Sequence, residues 1–180
     1  SEMCIRDRII PVKITEDQIK LAEKKAKEMG ALKESITKGE GNIAGFLGEI
    51  LFVDNLGGVI ENTYHYDVIV DGIKVDVKTK RTTVAPEPHY LATVADFNTR
   101  QECDVYYFVR VNIEERMGYL LGGLTKKEFY KKATFNKKGE IDPSSHLGWK
   151  FKADCYNLEI SKLKQSKKIE EVTMSKQDAM

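Results

Sequence analysis

Asp71-Gly72 sits between two runs of alternating character, residues 66–70 and 73–79. An Asp-Gly pair so flanked is the strongest short-range hairpin signal, because both turn positions need positive φ and these residues adopt it cheaply. The pair also fixes a register. With a two-residue loop, Val70 faces Ile73, Ile69 faces Lys74, Val68 faces Val75 and Asp67 faces Asp76. Two carboxylates are then cross-strand neighbours, with Cβ atoms about 5 Å apart. Lys78 follows on the same face, about 7 Å further along the strand. Val68, Val70, Val75 and Val77 form the opposite, apolar face, expected to pack on helices and to leave the acid face exposed.

A third acid precedes the hairpin. The apolar spacing of Ile43, Phe46, Leu47, Ile50, Leu51 and Leu56 predicts a helix over residues 43–56, with Asn42 as N-cap and Gly57-Gly58 as its end. Glu49 lies within the stripe of Phe46, Ile50 and Val53, where a carboxylate is costly unless a cation or donor meets it. Gly45 and Gly48 remove side-chain bulk beside it, so a helix packed on the sheet would aim Glu49 at the hairpin. Such a set of oxygens suits a hard divalent cation. Mg²⁺ is typically held by one or two carboxylates plus substrate phosphate, and a nearby lysine can orient or deprotonate a water.

Elsewhere, residues 15–29 predict a helix capped by Thr15 and ended by Gly30. Its lysine face (Lys20, Lys24, Lys25, Lys27) is expected to be solvated. Residues 59–61 suggest a short strand, 90–102 a helix, 104–112 a buried central strand, 118–121 a strand and 149–155 a late strand. Thr125 and Glu128 form a capping box that opens a short helix to about Lys132. Residues 1–8 resemble a translated sequencing adapter and are set aside as a non-native scar. Residues 9–164 are expected to form one domain, and the charged residues 165–180 a flexible tail. The overall expectation is an α/β domain with a mixed central sheet flanked by helices.

Composition narrows the function classes. No apolar run approaches the ~20 residues of a membrane span, so no membrane partner is expected. The three cysteines lack CxxC spacing and the three histidines are scattered, which argues against a disulfide framework or a zinc site and for reduced thiols in the cytoplasm. The formal net charge of +1 does not announce a polyanion partner. Acids gathered at a catalytic centre can mask a basic groove in that total.

Glu49 on a helix, Asp67 on one strand and Asp76-Val77-Lys78 on the next resemble the PD-(D/E)xK, or restriction-endonuclease-like, nuclease superfamily, from about Ile43 to Asn112. The layout also looks like that of small phage-type members, for which the compartment would be the host cytoplasm. The resemblance implies an α-β-β-β-α-β core and a Mg²⁺-dependent deoxyribonuclease, with Mn²⁺ as a substitute and no small-molecule cofactor. A metal-activated water would hydrolyse the phosphodiester and leave 5′-phosphates. By the same resemblance Asp67, Asp76 and the Val77 carbonyl bind the metal, Glu49 supports it and Lys78 positions the water. Tyr66 stands where the nominal family proline would be. DNA is the implied partner, and a homodimer is known among restriction-type enzymes.

Candidate phosphate contacts are Lys80 and Arg81 after the active strand, Ser35, Thr37, Lys38 and Asn42 before the Glu49 helix, and Gln101. The cluster Lys126, Lys127, Lys131, Lys132, Lys137 and Lys138 reads more simply as a solvated face than as a second footprint. The tripeptide alone is weak, since Glu23-Lys24-Lys25 also fits it. Its context is what is specific. Two alternatives remain at this stage: a non-catalytic nucleic-acid-binding module on the same fold, and a domain whose charges are coincidental, with Glu49 pointing away from the aspartates.

Overall fold

The computed structural model describes residues 9–33, 42–165 and 167–174. Its elements follow in the order β1 (Ile10–Lys13), α1 (Glu16–Lys33), α2 (Ile43–Leu56), β2 (Val59–Ile60), β3 (Val68–Val70), β4 (Ile73–Arg81), β5 (Leu91–Ala95), β6 (Val105–Asn112), β7 (Met117–Thr125), α3 (Lys126–Lys132), β8 (Thr134–Asn136), β9 (Cys155–Glu159) and α4 (Ile169–Thr173). A six-stranded sheet runs β1-β7-β6-β4-β3-β2, and a three-stranded sheet runs β5-β9-β8. The larger sheet is mixed: β4 and β6 are parallel, while β3–β4 and β6–β7 are antiparallel. The expected mixed α/β architecture is present.

The alternation of the central strand explains the layering. All eight residues of β6 are buried. Val105, Tyr107, Val109 and Val111 enter one core with Leu47, Ile50 and Leu51 of α2, Ala22 and Ala26 of α1, and Ile169 and Val172 of α4. Tyr106 and Phe108 enter a second core with Phe129 of α3, Val94 of β5 and Leu158 of β9. A strand covered on both faces reads as a near-continuous apolar run, as Val105-Tyr-Tyr-Phe-Val does. The valine face of the hairpin joins the first core as expected. The acid face is not open, however. The small sheet and its neighbours cover it, and Asp76 is only 3% exposed.

Several sequence expectations need correction. The helix expected over residues 90–102 is β5 followed by a single 3-10 turn, Asp96–Asn98. Here a ladder with β9, from Leu91↔Glu159 to Ala95↔Cys155, overrides local preference. The helix α1 continues past Gly30 to Lys33, since one glycine costs a helix only about 1 kcal/mol. The late strand begins at Cys155, not at Trp149, which is 62% exposed. Within the expected tail, residues 169–173 form α4, with Ile169 and Val172 buried. Cys103 and Cys155 are free and buried. Among the described residues no helix is long and apolar enough to cross a membrane.

Candidate metal centre

The turn between β3 and β4 has the geometry its sequence demands, with φ of +49° at Asp71 and +80° at Gly72. The register follows: Val70↔Ile73, Ile69↔Lys74 and Val68↔Val75. One residue further, the ladder changes character. The Asp67 amide donates to the Val75 carbonyl at 3.0 Å, and the Asp67 carbonyl accepts from the Glu61 and Asn62 amides at 2.8 and 3.0 Å. Asp67 Oδ2 then accepts from the Val77 amide at 2.9 Å. The side chain thus replaces the strand residue that β3 no longer supplies. In a strand the N–H and C=O of one residue leave by the same edge, so the Val77 carbonyl also faces the Asp67 side.

Helix α2 brings the third acid. Gly48 lies so close to β4 that an added Cβ would meet Thr79 Oγ1 at 1.8 Å. That approach carries Glu49, 4% exposed, to the strand end beside Asp67 and Asp76. Gly45 has no such role, since a Cβ there would meet open space. The Asn62 carboxamide faces Glu49 as well. With its nitrogen toward the carboxylate it donates to both oxygens, to Oε2 at 3.2 Å.

Lys78 completes the cluster from the same face of β4. Its Nζ is 2.6 Å from Asp76 Oδ2 and donates to Gln101 Oε1 at 3.0 Å. Gln101, itself buried, donates through Nε2 to the Tyr64 carbonyl at 2.9 Å. Lys126 donates to the carbonyls of Thr99 and Gln101 and so fixes the loop that carries this glutamine. The lysine is therefore held between an acid and an amide rather than left to sample solvent.

The electrostatics of the three acids are adverse as they stand. Burial pushes the Glu49 carboxyl up to about 7, with the Asp76 charge adding to the rise and Asp67 and Lys25 opposing it. Burial, the Asp76 charge, a hydrogen bond to Asp76 and the Glu49 charge push Asp67 far above the usual carboxylate range, against the Val77 amide. Adjacent buried carboxylates cannot all ionise without a counter-charge. Asp76 Oδ2 is buried, and the Lys78 ammonium 2.6 Å away is the one cation in contact with it among the described residues.

These features fit a hard divalent cation: oxygen donors, and three acids against one lysine in contact. Among the described residues no group of three or more His, Cys, Asp and Glu side chains is placed to hold a metal ion by itself. Mg²⁺ does not ask for such a group, since it needs near-octahedral oxygens and keeps waters or substrate in several positions. Asp67, Asp76 and the Val77 carbonyl would supply its protein ligands, with Glu49 behind them.

The remaining candidates separate. Gln101 belongs to the site through Lys78. Lys80 lies two residues beyond Lys78 on β4. Arg81 is half-exposed and pairs with Glu114. Asn42 makes no side-chain cap, because its own backbone is already helical (φ −95°, ψ −9°). Ser35, Thr37 and Lys38 lie outside the described residues. Of the later lysine cluster, Lys126 is a loop clamp and Lys132 pairs with Glu128 at 3.8 Å. Asn62 and Tyr64 went unnoticed in the sequence, and Lys25, expected only on a solvated face, lies in the field of Glu49. A loop asparagine and a backbone carbonyl carry no local signal, and Lys25 looks like its solvated neighbours.

No protein-family model matches this chain, and no curated protein matches its sequence significantly.

Proposed function

We propose that this chain is a Mg²⁺-dependent deoxyribonuclease on a restriction-endonuclease-like core. The observation that carries the reading is the clustering of buried Glu49 on α2, buried Asp76 on β4 and half-buried Asp67, just before β3, beside Lys78. Ordinary surface charges would not be buried together at such electrostatic cost. The order α2, β3, β4, then parallel β6 supports the same core. The crossover between β4 and β6 departs from it, being β5 and a 3-10 turn rather than a full helix.

When bound, the divalent ion would neutralise charge on the scissile phosphate and make water a competent nucleophile at neutral pH. The chain's own groups do the rest. Asp67 and Asp76 would hold the ion at β4. Glu49, held by Asn62, takes up or releases a proton near neutral pH. Lys78 Nζ, steered by Gln101, offers N–H donors to the attacking water or to the phosphate oxygen beside Asp76. The products are expected to carry 5′-phosphates, and Mn²⁺ is expected to replace Mg²⁺.

The test is cleavage of linear, circular, single-stranded and branched DNA in Mg²⁺, in Mn²⁺ and in EDTA, with Asp76→Ala alongside. Metal-dependent cutting that Asp76→Ala abolishes, with the circular-dichroism spectrum unchanged, supports the reading. Undiminished cutting by that variant refutes the site. Binding of DNA without cutting in either metal favours the non-catalytic module.

A further inference from the structure

Arg110 lies in the middle of β6 and is 6% exposed. It donates through Nη2 to the Leu91 carbonyl at 3.1 Å, and its guanidinium carbon is 5.2 Å from the centroid of the Tyr90 ring. Both contacts orient it, and neither is an anion. Among the described residues it forms no ion pair. Burial lowers its pKa, and Asp142 favours its charge only from beyond ion-pair distance. A buried charge without a counter-charge in contact is costly, and like charges placed side by side across strands add to the cost. Yet the parallel neighbour of Arg110 on β4 is Lys80. Burial, Arg110 and Lys152 together hold Lys80 below the usual lysine range, and the field of Asp142 opposes them.

A hollow of about 60 Å³ is lined by Lys78, Lys80, Thr93, Phe108 and Arg110 among others, so it adjoins the candidate metal centre through Lys78. Pockets for drug-sized ligands run to ~300–1,000 Å³, so this hollow suits a group no larger than a phosphate. Asp76 and Lys80 are four residues apart on one strand, a reach of about 13 Å. That places the cluster beyond the scissile position, at about the distance of the second phosphate along the same strand.

We propose that Arg110, Lys80 and Lys152 hold a non-scissile phosphate of the nucleic-acid strand whose scissile phosphodiester sits at Asp76, a proposal that rests on the nuclease reading. Arg110 supplies a preset fork for the phosphate oxygens, while Lys80 and Lys152 supply mobile point charges. The cluster would then set how far the strand must extend past the cut for efficient cleavage.

The test is fluorescence anisotropy of a short fluorescein-labelled duplex with a single-stranded overhang, in EDTA, across a salt series. Lys80→Gln and Lys152→Gln are exposed and should fold normally. Each is expected to weaken binding about 5- to 8-fold near 0.1 M salt and to lower the slope of log Kd against log salt by about 0.7–0.9. Arg110→Lys should bind more weakly than the parent, because it keeps the charge and loses the fork. Unchanged affinity and slope in both lysine variants overturns the proposal, even if the parent protein cuts DNA. Lysine-dependent binding supports it, even if no cutting is found in Mg²⁺ or Mn²⁺ and the nuclease reading fails.

Discussion

Asp67 closes the β3–β4 ladder with its side chain while its carboxyl is forced upward by burial and by Asp76. Asp67→Asn keeps an acceptor for the Val77 amide and removes a carboxyl whose ionisation the folded state opposes. It is expected to raise the metal-free melting temperature, by about 2–4 °C for each kcal/mol relieved, and to abolish metal-dependent cleavage. Differential scanning calorimetry with a cleavage assay checks both, and such a trade is usual where a site is strained for function. Gln101 acts through Lys78. Gln101→Ala is expected to lower kcat roughly 10- to 100-fold with little change in KM, as loss of an orienting partner typically does; Gln101→Glu should restore part of the rate. An equal rise in KM would indicate a structural role instead. The facing of Asp67 and Asp76 was legible in the sequence because Asp71-Gly72 dictates a register by local sterics. Asn62 was not legible, because it meets Glu49 only through a loop whose path depends on tertiary contacts.

Helix α2 and strand β4 meet through a glycine, and the position of Glu49 depends on that approach. Gly48→Val would drive a branched side chain into Thr79. It is expected to cost about 1–3 kcal/mol or more, read as a lower denaturant midpoint, and to reduce cleavage further than the stability loss alone explains by moving Glu49 off the aspartates. Full activity in a folded Gly48→Val protein would mean that Glu49 needs no such placement. The extent of α2 followed from its apolar spacing, and β6 followed from its unbroken apolar run, because both signals are local. Residues 90–102 failed for the opposite reason. Their partner strand β9 lies 60 residues or more further along the chain, and nothing near Leu91–Ala95 announces it. Short edge strands such as β1 and β8 are equally silent, since each is defined by its neighbour. The placement of the acid face on the outside erred because the small sheet that covers it is assembled from those same distant pieces.

For the molecule as a whole, the buried acids link stability to pH and to metal. Glu49 has a folded pKa of about 7 against an ordinary 4.5. A carboxyl raised on folding keeps its proton longer in the native state, so stability falls as pH rises through that window, at no more than about 1.4 kcal/mol per pH unit for this one group. Asp67, raised as well, extends the loss to higher pH. In metal-free buffer the melting temperature is expected to fall between about pH 4.5 and 7. Mg²⁺ should restore it at pH 8 and do little at pH 5, where protons compete for the same oxygens. A melting temperature that rises across the window would contradict the crowded acids. The central claim, that Glu49, Asp67 and Asp76 form one cation site, is tested most directly by isothermal titration of Mn²⁺ into the protein at pH 8, with Asp67→Asn and Asp76→Asn as controls. Saturable binding accompanied by proton release, and lost in both variants, is the predicted result. No binding, or binding that survives both substitutions, would contradict it.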